Sequence, residues 1–351
     1  MDQKYLKKDD FAKFTEYLAE EYALFYVKKS GEDKLHIARY EGKDELPVVG
    51  CVRPFEPLKN FFFLAREKVV DGYGKGEAIA AKRKKPFCIL GVKNCDLAGL
   101  SILDYVFTEG DFQDPFYIKN RQNNLIIAAD CTTALDTCFC HALGNRHYPE
   151  KNFDILISEL GSGYIVGHGS DKGRAVIDKN RAIFTAVQSY HLKERDDLRR
   201  SVGDKVDSNI AREQIPDSSQ YKDIIKSNLE SAVWSREADK CVECGACNVV
   251  CPTCHCFYLF DSSKGDMKEL RFKTWDSCMY ERFARVAGGA NPRDHLWTRL
   301  RNRFEKKFDY FPEVKGAYAC TGCGRCISGC PAKIDIRKVL KELVAEKKTH
   351  Q

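Results

Sequence analysis

The chain has 351 residues, 43% hydrophobic and 31% charged, which is ordinary globular usage and excludes a disordered or fibrous class. Its net charge of +6 comes from 57 basic and 51 acidic residues that are interspersed, so no general affinity for nucleic acid is indicated. No apolar stretch follows the N-terminal MDQKYLKK and no run of 18 apolar residues occurs, so neither an export signal nor a membrane span is expected.

In chain order, Phe11 to Val27 carries apolar residues at three and four spacing after Asp9 and Asp10, predicting an amphipathic helix with an acidic cap. Lys82, Arg83, Lys84 and Lys85 read as a solvated loop, with partner docking as the alternative. Pro86 to Val92 predicts a strand, Leu97 to Val106 a helix and Asn124 to Ala129 a second strand. Asp154 to Ile177 alternates apolar residues with Gly161, Gly163, Gly167 and Gly169, the pattern of a hairpin with tight bends. Residues 1–215 are thus expected to form an α/β domain. A polar break at residues 216–219 marks the boundary. Beyond it, Tyr221 to Trp234 and Asp294 to Phe308 predict helices, so residues 220–351 are expected to be a mainly α-helical ferredoxin domain.

Seventeen cysteines would suggest disulfides in a small exported protein, but here most stand at metal-ligand spacing, which suits a reducing cytoplasm. Two complete C-x2-C-x2-C-x3-C-P runs begin at Cys241 and Cys320. Such a run wraps three corners of a 4Fe-4S cubane and sends its last cysteine to the other cluster. Cys241, Cys244, Cys247 and Cys330 are then one ligand set, and Cys320, Cys323, Cys326 and Cys251 the second. Pro252 and Pro331 fix φ where the chain leaves each loop. Gly245, Gly322 and Gly324 are read as leaving room for inorganic sulfide. Zinc would use pairs of C-x2-C and has no need of a third cysteine or the C-P ending.

Among the other cysteines, Cys51 and Cys88 sit in apolar runs and read as buried small hydrophobes. Cys95, Cys131, Cys138 and Cys140 follow the two strands, at the end where parallel α/β sheets place ligands. They could hold a third cluster, with Asp96 as an alternative ligand; a buried thiol group and a zinc site are the other readings. Cys254, Cys256 and Cys278, with His255, read as donors around the nearer cluster that tune it, or as a site of their own. Neither Gly72-x-Gly74-x-Gly76 nor Gly161-x-Gly163-x3-Gly167 is the dinucleotide fingerprint, so no flavin or nicotinamide site is read in this chain, and no catalytic nucleophile stands out.

Taken together, Gly91-Val-Lys-Asn-Cys-Asp-Leu97, Ile102-Leu-Asp-Tyr-Val-Phe107, Asp130-Cys131, Cys138-Phe-Cys140, CVECGACNVVCPTCHCF and CTGCGRCISGCPAKIDI resemble a known family. It is that of the A subunit of anaerobic sulfite reductase and the β subunit of sulfhydrogenase, over residues 80–340. The resemblance implies an electron-transfer subunit of an oxidoreductase complex. Electrons would pass from a flavin (FAD or FMN) subunit that oxidises NAD(P)H or ferredoxin to a catalytic reductase or hydrogenase subunit. A self-contained reductase built on an N-terminal cluster and a redox-sensing regulator are the competing readings; no helix-turn-helix output module accompanies the latter.

Overall fold

The computed structural model describes residues 2–31, 34–42, 46–71, 85–221, 223–264 and 268–349. Lys82, Arg83 and Lys84 of the basic run, and Gly72, Gly74 and Gly76, lie outside the described residues.

Strand β1 (Gln3–Lys7) leads into α1 (Phe11–Glu21), then β2 (Ala23–Ser30), β3 (Lys34–Arg39) and β4 (Arg66–Asp71). The predicted helix reaching Val27 is therefore shorter. Tyr22 turns extended, and Ala23 to Tyr26 pair in parallel with β5 (Phe87–Val92), so sheet pairing overrides the helical period. Nor does Asp10 cap α1; its carboxylate bonds Lys13 instead.

After β5 come α2 (Asn94–Thr108), α3 (Pro115–Gln122), β6 (Asn124–Ala129), β7 (Ile155–Glu159) and β8 (Gly163–His168). The segment closes with α4 (Asp171–Lys179), β9 (Phe184–Ala186) and α5 (Ser189–Glu213). The hairpin read over Asp154 to Ile177 stops at His168, because Ser170 caps α4 by accepting from Gly173 N.

Eight strands form one sheet in the order β3-β2-β5-β6-β7-β8-β1-β9, parallel from β2 through β7. Strands β5 and β6 are buried throughout, which is why they read as continuous apolar runs. Cys88, Leu90, Leu125 and Ile127 face α1 and α4, while Ile89, Val92, Ile126 and Ala128 face α2.

The C-terminal part contains α6 (Ala232–Ala238), α7 (Ala246–Val249), β10 (Phe257–Lys264), β11 (Lys268–Trp275), α8 (Leu296–Glu305), α9 (Phe311–Lys315), α10 (Arg325–Ser328) and α11 (Ile336–Thr349). Tyr221 to Trp234 is not one helix: two short 3-10 turns precede α6, which starts where Ser231 accepts from Val233 N. Trp234, Phe304, Phe308, Val339, Leu340 and Leu343 form its core. A mainly helical domain is an incomplete description. Hairpin β10–β11 takes β4 from the N-terminal half as a third strand, so the 216–219 break does not separate the two halves in space. Among the described residues no helix is long and apolar enough to cross a membrane.

Candidate metal centre

The first cysteine run is tied to the end of α6 by the Cys241 N–H to Ala238 O hydrogen bond. Gly245, at φ +70°, turns the chain into α7. Cys241, Cys244, Cys247 and, from the second run, Cys326 and Cys330 line one cavity walled by Met279, Leu300, Phe304 and Ile336. Backbone N–H groups of Glu243 and Ile334 donate to the sulfurs of Cys241 and Cys330, each at 3.4 Å. Such bonds favour thiolates over thiols. Cys244 is exposed, so one corner of the cavity reaches the surface.

Arg303 also lines this cavity, is 5% exposed, and has no hydrogen-bond partner for Nε or Nη2. A buried guanidinium with two nitrogens unpaired is costly, and an anionic group in the cavity would answer them. Burial alone would lower its pKa, but the thiols of Cys247, Cys326, Cys254 and Cys251 hold it well above the usual value. The thiols of Cys241, Cys244, Cys247 and Cys330, beside a buried cation with two unpaired nitrogens, are a donor set that fits a 4Fe-4S cluster, whose four-thiolate form is an anion.

The second run is built the same way, with Gly322 and Gly324 at φ +67° and +70° before α10. Its glycines, like Gly245 of the first run, are also confined by protein. A Cβ on Gly322 would stand 2.5 Å from Cys140 Cα, one on Gly324 would meet the Thr137 carbonyl, and one on Gly245 would lie 2.6 Å from the Tyr280 hydroxyl. Close approach of protein to protein demands glycine here. Cys320 and Cys326 each feel the charge of Cys251. Lys307 Nζ lies 3.4 Å from Cys251 Sγ and donates to Thr253 Oγ1 and Ala319 O. Burial pushes the Cys320 thiol up to about 12.

In the N-terminal half, the parallel pairing of β5 and β6 brings Cys95, at the start of α2, beside Cys131. Asn209 of α5 donates to Leu135 O and Cys138 O, holding the loop that carries Cys138 and Cys140. All four thiols line a second cavity, and Cys323 of the second run joins them with Arg53, Arg146 and His147. Burial pushes the Cys131 thiol up to about 12 and raises Cys95 and Cys140 as well. Thiols so placed ionise readily only when a metal displaces the proton.

Asp96 does not line this cavity. Its Oδ1 accepts from Leu58 N at 3.0 Å and its Oδ2 from Arg325 Nη2 at 2.7 Å, an ion pair buried on both sides. The carboxylate is thus committed to clamping α10 onto α2. Cys51 is buried and bridges Cys131 through the backbone, and Cys88 is sealed within the sheet core.

Cys254, Cys256 and Cys278 gather at a third cavity with His255. Asn248 Nδ2 donates to Cys278 Sγ at 3.2 Å and to Cys254 Sγ at 3.7 Å. The hydrogen bond from Cys256, ahead of that from Asn248, draws the Cys278 thiol down to about 6 despite burial. Among the described residues no three Cys, His, Asp or Glu side chains converge closely enough to grip a single metal ion.

Residues 240–334 match the family model described as a 4Fe-4S dicluster domain. Over 300 residues, 86% of this chain and 86% of the relative, the sequence is 33% identical to sulfhydrogenase 2 subunit beta of Pyrococcus furiosus. The chain belongs to the sulfhydrogenase β-subunit family. A shorter likeness, 31% identity over 108 residues, links it to the pyruvate-flavodoxin oxidoreductase of Trichormus variabilis and covers 31% of this chain and 7% of that protein.

As a member of the sulfhydrogenase β-subunit family, the protein is an iron-sulfur oxidoreductase subunit with an electron-transfer role. Sequence reading overlooked Arg303, Lys307, Arg53 and Lys93, whose buried cationic groups meet the cysteine loops. Lys93 Nζ, fully buried, donates to Val49 O and Asp130 O and ties the strand ends below the N-terminal thiols. Their one signal along the chain is position: Arg53 and Lys93 each stand two residues from a cysteine.

Proposed function

We propose that this chain relays single electrons through two 4Fe-4S clusters, one on Cys241, Cys244, Cys247 and Cys330 and one on Cys320, Cys323, Cys326 and Cys251. A third is proposed on Cys95, Cys131, Cys138 and Cys140. The observation that carries the reading is that Cys330, 89 positions from Cys241 in sequence, lines the first run's cavity with Cys241, Cys244 and Cys247, beside the buried Arg303 whose Nε and Nη2 have no partner. When bound, a 4Fe-4S cluster takes up and gives back one electron at a time. The protein's own groups prepare for that. Apolar side chains at the first cavity exclude water, and Arg303 and Lys307 set positive charge against the thiolates.

Position also suggests the ends of the relay. Cys244 at the surface supports electron entry or exit through the first run, while the second run sits against the N-terminal thiols, with Arg53 donating to Cys323 O and Arg325 to Asp96. The P. furiosus relative is named as one subunit of a sulfhydrogenase. We infer that this chain likewise works within a complex. It would stand between a flavin subunit that oxidises NAD(P)H or ferredoxin and a catalytic subunit of the sulfite reductase or hydrogenase kind, in a reducing cytoplasm.

Anaerobic purification from the native source tests this. Co-purifying flavin and catalytic subunits are expected, with about eight iron atoms per chain from the ferredoxin runs and about four more if the N-terminal site is loaded. About four or fewer after full reconstitution, or a monomer with its own turnover, would overturn the relay.

A further inference from the structure

Three cysteines remain outside the twelve assigned above, apart from the core residues Cys51 and Cys88, and all three line one cavity. Buried thiols are usually small apolar fillers. The walls of this cavity argue against that, because Arg303, Lys306 and Lys307 stand in them with Cys254, Cys256 and Cys278. The Asn248 amide donates to two of the sulfurs, as a positioning group for thiolates would. Arg303 supplies the independent sign: its 95%-buried side chain borders this cavity as well as the first, and two of its nitrogens have no partner. His255 lines the cavity too. Its Nδ1 lies 3.0 Å from Thr253 O. A carbonyl can only accept, so Nδ1 carries the hydrogen and Nε2 of the neutral ring is a bare lone pair.

We propose that Cys254, Cys256 and Cys278 hold a further iron-sulfur cluster, with His255 Nε2 as the ligand to its fourth corner. A cubane spreads its ligands more widely than one ion does, in keeping with the lack of any single-ion grouping among the described residues. The site lies at the junction of the two ferredoxin sets. Asn248 follows Cys247 of the first set, and Lys307 and Thr253 touch Cys251 of the second. It goes beyond the relay reading and does not require the N-terminal cluster.

The full chain, reconstituted anaerobically, is compared with Cys254→Ala/Cys256→Ala/Cys278→Ala and with Cys131→Ala/Cys140→Ala by iron, sulfide and zinc analysis and EPR of the reduced protein. The first variant is expected to lose about four irons and one spin system while both ferredoxin signals persist, independently of the loss in the second variant. Because three alanines could impair folding, wild type is also measured by pulsed EPR. A nitrogen coupling to one reduced cluster is expected, absent in His255→Ala and retained in His141→Ala. Iron content equal to wild type in a folded triple variant, no coupling sensitive to His255, or one zinc per chain lost with the three cysteines would each overturn the proposal. Absence of the eight ferredoxin irons would instead count against the relay itself.

Discussion

In the first cysteine run Cys244 is exposed and its neighbour Val242 is 64% exposed, whereas in the second run Arg325 is fully buried and Gly322 lies against the backbone of Cys140. The ligand spacing is the same in both. Local pattern therefore states what each loop can hold, and the neighbours decide whether that loop is a surface terminal or an internal junction. Clamping by Asp96 and Arg53 fixes the second loop relative to the N-terminal thiols, while in the first loop the buried Arg299 pairs with Glu243 and the buried Lys59 donates to Asn248 O.

The sharpest break would come from the cysteines before the prolines. Cys330→Ser should make the cluster of the first run labile or convert it to a 3Fe form, and Cys251→Ser should do the same to the second, since serine oxygen suits these clusters poorly. EPR of the two reduced variants should show the damage on opposite clusters. Damage by each serine to the cluster of its own run would mean uncrossed ligation.

Next in size is the Asp96–Arg325 clamp on the second run. Asp96→Ala leaves the buried Arg325 guanidinium with the carbonyls of Pro54, Phe55 and Glu56 and no countercharge in the pair, and breaking a buried ion pair costs about 3–5 kcal/mol. Anaerobic denaturant unfolding should show that loss. A change below about 1 kcal/mol would mean the interface does not bear on stability.

A smaller contrast lies in the glycines. Gly245→Ala and Gly324→Ala share a left-handed backbone, which costs about 1–2 kcal/mol with a Cβ. Gly324→Ala also drives its Cβ into the Thr137 carbonyl, while at Gly245 the obstacle is the Tyr280 side chain, which can rotate away. Unfolding should therefore rank Gly324→Ala as the more damaging. Equal losses would show that the second loop is no more tightly packed than the first.

Much of the site could be read along the chain. Each cysteine run carries three cysteines spaced three positions apart, and β5 and β6 announce themselves because buried parallel strands are apolar on both faces. Helix limits were less legible: α1 gives way to β2 because residues 23–26 find a strand partner 64 positions away, which no local period records. Hairpin β10–β11 escaped notice for a similar reason, since its third strand comes from residues 66–71. Asp96 beside Cys95 looked like a ligand in sequence; in space its carboxylate belongs to Arg325.

The sequence by itself determined the chemistry of the ligands, because a cubane needs thiolates at spacings short enough for one loop to span, and such spacings survive without knowledge of the fold. Tertiary structure alone decided the company those ligands keep. The gathering of Cys95, Cys131, Cys138, Cys140 and Cys323 at one cavity, and the burial of Arg303 among thiols with two nitrogens unpaired, depend on contacts between segments up to some 230 residues apart. Burial and charge act through space, so the groups that tune a metal centre need no fixed spacing along the chain.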